Sequence, residues 1–156
     1  MKYIVLIIIV GLIFVYLNRN SNNAKAATEN IAKGNMFLLE NKKEEGVVET
    51  ASGLQYKVLH KGDGNDHPTA KSKVTVHYHG TLLDGRVFDS SVDRGEPLSF
   101  GLNRVIPGWT EGVQLMKVGD KYRFYIPSEL GYKNQSVGII EPGALLVFDV
   151  ELLEIH

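Results

Sequence analysis

The 156-residue sequence has no cysteine, one tryptophan and five prolines. Without cysteine there is no disulfide framework, no thiol nucleophile, no thiolate metal site and no lipid anchor on an N-terminal cysteine. An excess of one charge is missing too: 17 basic and 18 acidic side chains leave a formal net charge of −1. With no basic stripe, nothing draws the chain to nucleic acid. Signatures of phosphate loops, hydrolases and zinc proteases are absent, as are internal repeats. The longest apolar run, Tyr3 to Leu17, has 15 residues, which at roughly 1.5 Å per residue reaches about 22 Å, short of a hydrocarbon core of about 30 Å.

That run nevertheless stands apart from everything after it. Lys2 and Arg19 flank it and can snorkel, so residues 1–19 read as a membrane anchor or signal segment. The alternative is a soluble exported protein cleaved near Ala26, where Ala24-Lys25-Ala26 supplies small residues at the right spacing. Removing residues 1–26 takes away Lys2, Arg19 and Lys25 and no acid, leaving 14 basic against 18 acidic side chains.

Residues 20–46 read as a polar linker and short helix. Thr28 is a candidate N-cap, Ile31, Leu38 and Leu39 form a partial stripe, Gly34 weakens it and Gly46 stops it. Its expected role is a solvated spacer; the alternative is the remnant of a dimerisation arm.

From Gly53 onward the pattern has period two. Leu54, Tyr56 and Val58 share a face, as do Val74, Val76 and Tyr78, then Tyr122, Phe124 and Ile126, then Leu146, Phe148, Val150 and Leu152. This predicts an antiparallel sheet with one packed face. Asp84-Gly85 predicts a type I′ hairpin. In "HYHG" (77–80) the alternation turns Tyr78 inward and His77 and His79 outward. Two histidines on one surface lack the third and fourth ligands that a metal needs, so no metal is expected. "DGNDHP" (63–68) fails as a calcium loop because Pro68 takes the place of the required glycine. One short helix is predicted across the sheet, with Pro107 at its start, Trp109, Val113 and Met116 on one stripe and Gly119 as its stop.

"VTVHYHGTLLDGRVFDSS", "VIPGWTEGVQLMKVG", "ELGY" and "LVFDVELL", in this order and spacing, resemble the FKBP-type peptidyl-prolyl cis-trans isomerases over residues 47–156. The approach "FLLENKKEEGVVETASGLQYKVL" resembles the exported bacterial branch that includes the macrophage infectivity potentiator proteins. Departures are Leu98, where an aromatic is frequent, Lys133, where glycine is common, and Glu141-Pro142 in place of a proline pair.

The resemblance implies an α+β fold: a bent antiparallel sheet wrapped around one short helix, preceded by the N-terminal apolar helix and the linker helix. It also implies a pocket in which Tyr78, Asp89, Trp109, Tyr132 and Phe148 are catalytic, while Phe88, Arg94, Phe100, Val105, Ile106 and Ile140 bind substrate. Trp109 would be the floor; Tyr78, Phe88 and Phe148 would be walls. The Tyr132 hydroxyl and Ile106 N–H would hold substrate carbonyls, and Asp89 would lie near the rotating carbonyl or be occupied by Tyr78 and Arg94.

No cofactor is implied. The expected partners are unfolded or partly folded proline-containing polypeptides and macrolide inhibitors of the FK506 type. The expected setting is the cell envelope, with the domain facing the periplasm or outside, as a monomer or weak dimer. A second function class on the same fold is a proline-peptide binding module or holdase with little turnover.

Overall fold

The structure is a computed structural model that describes residues 2–156 of the chain, with side chains from Leu12 onward. Helix α1 runs unbroken from Lys2 to Asn41. The expected polar break and second helix start are therefore corrected. No proline interrupts residues 18–27, and Thr28 sits inside the helix with its hydroxyl donating to the Ala24 carbonyl at 3.0 Å. The expected anchor, residues 3–17, lies partly outside the residues whose side chains are described. Leu12 to Leu17 are each more than half exposed, and among the described residues no helix is long and apolar enough to cross a membrane.

The second half of α1 is packed, not solvated. Its inward positions, Ala27, Asn30 and Ile31, Gly34, Phe37 and Leu38, and Asn41, recur every three or four residues. Leu39, expected in this stripe, is 55% exposed. Gly34 has a packing reason: a Cβ there would stand 3.3 Å from the Cβ of Leu145. The helix ends on a buried polar cluster. Gln55 donates from Nε2 to the Leu38 carbonyl at 2.9 Å and to Glu49 at 2.8 Å, while Asn41 donates to Gln55 Oε1 at 2.9 Å. The Leu38 carbonyl, which also accepts the Lys42 N–H at 3.1 Å, thereby gains a second partner from a strand side chain near the helix end.

Seven antiparallel strands follow: β1 (Val47–Glu49), β2 (Gln55–His60), β3 (Lys73–Thr81), β4 (Val87–Ser90), β5 (Leu98–Gly101), β6 (Lys121–Ile126) and β7 (Leu146–Ile155). Their order is β1-β2-β6-β7-β3-β4. β5 pairs with the first half of β3 and β4 with its end. Helices α2 (Ser91–Arg94) and α3 (Pro107–Val113) lie in the connections. The alternation holds: Val74, Val76, Tyr78, Phe124, Ile126, Leu146, Phe148, Val150 and Leu152 are buried in one cluster with Trp109 and Val113 of α3. The expectation of a single packed face is corrected, because Tyr125 and Leu145 bury against Leu38 of α1 in a second cluster.

Two local expectations also change. Helix α3 ends at Val113, well before Gly119, because Leu115 and Met116 bond back only three residues, at 3.0 and 3.1 Å. The β3–β4 turn is not type I′. Of its residues only Gly85 has positive φ (87°), Gly85 N–H reaches the Leu82 carbonyl at 3.0 Å, and Leu82 N–H reaches Arg86 at 2.9 Å. This is the three-residue loop with glycine at its left-handed position.

What sets α3 on the sheet is the absence of side chains at Gly108 and Gly112. Added Cβ atoms would come within 2.7 Å of Ile126 and 2.6 Å of Phe124. Gly112→Ala gains about 0.5–1 kcal/mol of helix propensity but overpacks a closed core at a cost of about 1–3 kcal/mol. A net loss of roughly 1–2 kcal/mol is expected from urea denaturation. No loss would mean that α3 can lift off the sheet freely.

Candidate active site

β3, β4, β7, α3 and the loop after Gly131 enclose a cavity of about 600 Å³. Trp109, 5% exposed, is its floor. Tyr78 and Phe148 meet the indole edge-on, with centroids at 5.2 and 5.1 Å, and Phe88 meets Phe148 at 5.2 Å and 88°. Such edge-to-face pairs add about 0.5–1.5 kcal/mol beyond their buried area. The Trp109 N–H is buried without a hydrogen-bond partner among the described residues, so packing, not polar anchoring, fixes the floor.

Gly80, last residue of "HYHG", makes the wall possible. A Cβ there would lie 2.7 Å from Phe88 and 2.8 Å from Phe148. The strand alternation points position 80 into the pocket, and only a residue without a side chain leaves room for both rings.

Nine of the eleven residues expected at the site line the cavity: Tyr78, Phe88, Asp89, Val105, Ile106, Trp109, Tyr132, Ile140 and Phe148. Phe100 instead stands behind Trp109, 5.4 Å from its ring. Arg94 stands behind Asp89. The sequence reading missed Leu98 as a wall, Arg104, and the turn Val137-Gly138-Ile139. Val137 and Ile140 close this turn with reciprocal backbone bonds of 3.0 and 2.8 Å. A bridge inside an irregular loop has no periodic signal to find. Arg104 carried none either, since a polar residue in a short turn reads as surface.

At the rim, Tyr78 donates its hydroxyl to Asp89 Oδ2 at 2.5 Å, and Arg94 donates one nitrogen to the Tyr78 oxygen at 2.9 Å and the other to Asp89 Oδ1. The Arg94 guanidinium also lies 5.7 Å from the centre of the Tyr78 ring. Burial pushes the Asp89 carboxyl up, yet the Tyr78 and Arg94 hydrogen bonds outweigh it and hold the group below its ordinary value. Burial, then the Asp89 carboxylate, pushes the Tyr78 phenol up. The trio therefore presents a fixed carboxylate and a neutral phenol at neutral pH.

The outward histidines are not idle surface groups, as expected from sequence, but half-buried. His77 Nδ1 lies 2.8 Å from Ser91 Oγ, and His79 Nδ1 lies 2.8 Å from Ser90 Oγ. The Ser91 hydroxyl accepts the Tyr78 backbone N–H at 2.7 Å, and that of Ser90 caps α2 through Asp93 N–H at 3.1 Å. "HYHG" and "FDSS" thus lock together across β3 and β4. Among the described residues no three carboxylate or imidazole side chains stand together as a metal site.

Residues 64–153 match the family described as FKBP-type peptidyl-prolyl cis-trans isomerase, and residues 14–58 match the domain described as amino terminal to it. The chain is 59% identical over 132 residues to the FKBP-type peptidyl-prolyl cis-trans isomerase FkpA of Aeromonas hydrophila, a match covering 85% of this chain and 49% of that protein. It is 44% identical to the outer membrane protein MIP of Legionella longbeachae, over 88% of this chain and 59% of the relative. The crystal structure of FkpA from Escherichia coli superposes with a TM-score of 0.84 at 43% identity, covering 94% of this chain and 71% of that one. The chain belongs to the FKBP-type peptidyl-prolyl cis-trans isomerase family. It spans about half the length of the first of these relatives.

The rim trio has a measurable consequence. A carboxyl with a lowered folded value stabilises the fold above its ordinary range near 3.8, and that stabilisation is lost as pH falls through the folded value. Tyr78→Phe removes one of its two side-chain donors, so the Asp89 carboxyl should rise towards the ordinary range in a carbon-13 NMR titration. An unchanged midpoint would mean that Arg94 holds the charge alone.

Proposed function

We propose that residues 47–156 catalyse cis-trans isomerisation of X-Pro peptide bonds in unfolded or partly folded polypeptides, by desolvation and positioning. The observation that carries this reading is an apolar aromatic cavity floored by Trp109, with few polar groups at its edge and no nucleophile-base pair. Rotation about an amide needs no bond to a nucleophile. Its barrier, about 18–20 kcal/mol, reflects the resonance lost on twisting. The twisted amide is less polar than the planar one, so a dry pocket disfavours the planar ground state more.

In this reading Trp109, Tyr78 and Phe148 grip the proline ring, with Phe88, Val105 and Ile140 closing round it. The polar groups steer the chain. The Ile106 carbonyl is taken by Trp109 and Thr110 N–H, at 3.0 and 3.2 Å, while its own N–H and the Tyr132 hydroxyl have no partner among the described residues. Both are thus available to substrate carbonyls. Asp89, held by Tyr78 and Arg94, faces the rotating group as a fixed charge, and Phe100 backs the floor. Macrolides of the FK506 type would fill the same cavity as mimics of a twisted prolyl amide.

A protease-coupled assay with proline peptides tests the reading. Activity should be present and blocked by such a macrolide; binding without acceleration would favour the holdase alternative. Tyr132→Phe keeps the ring and removes one neutral hydrogen bond, worth about 0.5–1.5 kcal/mol, so kcat/KM should fall about three- to tenfold. Replacing Phe148 by a small residue should cost more, with folding checked separately. If Tyr132→Phe abolished turnover while a folded Phe148 variant kept it, desolvation would not be the main cause of catalysis.

The proposed setting is the cell envelope, with the domain on the outer side of a membrane and residues 3–17 as anchor or export segment. Its support is the apolar run flanked by Lys2 and Arg19 and the likeness to an outer membrane protein. Fractionation of cells with N-terminal sequencing decides between the two. Retention of residues 3–17 in the membrane fraction is expected; a chain beginning at Ala27 would make the segment a cleaved signal.

A further inference from the structure

The cavity wall carries two charged side chains, Asp89 and Arg104. Asp89 is neutralised from behind by Arg94. Arg104 takes part in no ion pair among the described residues. The carboxylate of Glu111, on the adjoining hollow beside Val105, already accepts the Thr50 hydroxyl at 2.7 Å. An otherwise apolar pocket therefore bears one uncompensated positive charge at its mouth. Other residues lining the cavity are neutral and partly exposed: Leu98 is 41%, Val137 39% and Ile139 44% exposed.

The position of Arg104 is set by structure. It ends the short turn Leu102–Arg104, whose first residue is fully buried and accepts the Thr110 hydroxyl on its carbonyl at 2.7 Å. The following residues, Val105 and Ile106, enter the cavity and begin α3. A chain lying in the cavity with its proline over Trp109 must leave past this rim, so a residue flanking the proline comes near the guanidinium. The rest of the domain is acidic, but at physiological salt its distant charges are screened beyond about 8 Å. Over the distances within one rim, the local cation decides the sign.

We infer that Arg104 is a specificity-determining residue, which selects proline sites flanked by an acidic side chain over those flanked by a basic one. The inference rests on the isomerase reading of the cavity for its activity readout, and on binding alone otherwise. Arginine suits this task because its fork pairs with a carboxylate through two parallel hydrogen bonds. The site is partly exposed, so the effect is modest: about three- to tenfold between a Glu and a Lys peptide.

The test uses the full chain and two series of short proline peptides, with Glu, Gln or Lys placed immediately before or immediately after proline. In at least one series, kcat/KM should fall in the order Glu, Gln, Lys, and the ratio should shrink as salt is raised. In Arg104→Gln the Glu-to-Lys ratio should approach one, and in Arg104→Glu it should invert. Because each ratio is taken within one protein, a general loss of activity in a variant does not disturb it. Trp109 is the only tryptophan, so its fluorescence gives the same ratios as binding constants. Absence of turnover together with the charge order in binding would sink the isomerase reading and keep this inference. No charge order in either readout, or an order that persists in Arg104→Gln, would overturn it.

Discussion

Everything at the candidate site depends on how closely α3 lies on the sheet. Gly108 and Gly112 leave space for Ile126 and Phe124, which lets the helix settle into the sheet's hollow. Trp109, between those two glycines, is then pressed among Tyr78, Phe100 and Phe148. A helix of only seven residues is marginal in water, so it owes its place to this contact and not to its own propensity. Pro107 at its first turn adds a preset backbone angle where the missing N–H costs nothing. Ile106, just before it, is consequently fixed beside the cavity, its N–H without a partner among the described residues.

The second constraint is electrostatic. A carboxylate at the edge of an apolar cavity would ordinarily be driven to its neutral form. Here the phenol and the guanidinium reach it together, and each of the three also restrains the others. This explains how a tyrosine can be both part of the greasy wall and a polar support: its ring faces Trp109 while its oxygen faces the rim. The serine and histidine pairs do similar work one layer back. They tie the backbone of Tyr78 to the β4–α2 junction that carries Asp89 and Arg94.

Strands with strict alternation were legible in the sequence because one buried face leaves a period of two, as at Val74-Val76-Tyr78 and along β7. The cavity residues were legible only through ordered motifs, since Trp109 by pattern alone is an ordinary core residue. The end of α3 and the β3–β4 turn rest on local backbone bonds, whereas the packing of α1 depends on partners distant in sequence. Gly34 reads as a helix weakness until Leu145 is seen against it. Gln55 carries no sign in the sequence of its contacts with Asn41 and the end of α1. Lys133, which stands where glycine is common, adopts the left-handed conformation, with φ 56°, that glycine takes easily. Its carbonyl accepts Gly143 N–H at 2.7 Å, which holds that geometry.

Helix α1 links these observations to the pocket. β6 and β7 are covered on both sides, since Tyr125 and Val147 face α1 while Phe124 and Phe148 face the core. The loop that brings Ile139 and Ile140 over the cavity is held from behind as well. Asn30 donates to the Pro142 carbonyl at 2.9 Å and to Glu141 at 3.1 Å, and a Cβ on Gly143 would collide with the Ala27 backbone at 2.5 Å. A loop without such a support would sample many shapes, and every binding event would have to bear the cost of ordering it. With its base fixed to a helix, the loop exposes residues 133–139, and a Cβ on Gly138 would meet nothing within 4 Å. The same helix that leads from the apolar N-terminal run therefore also shapes the mouth of the cavity. One helix thus backs β6 and β7 through Leu38 and holds the base of this loop through Ala27 and Asn30.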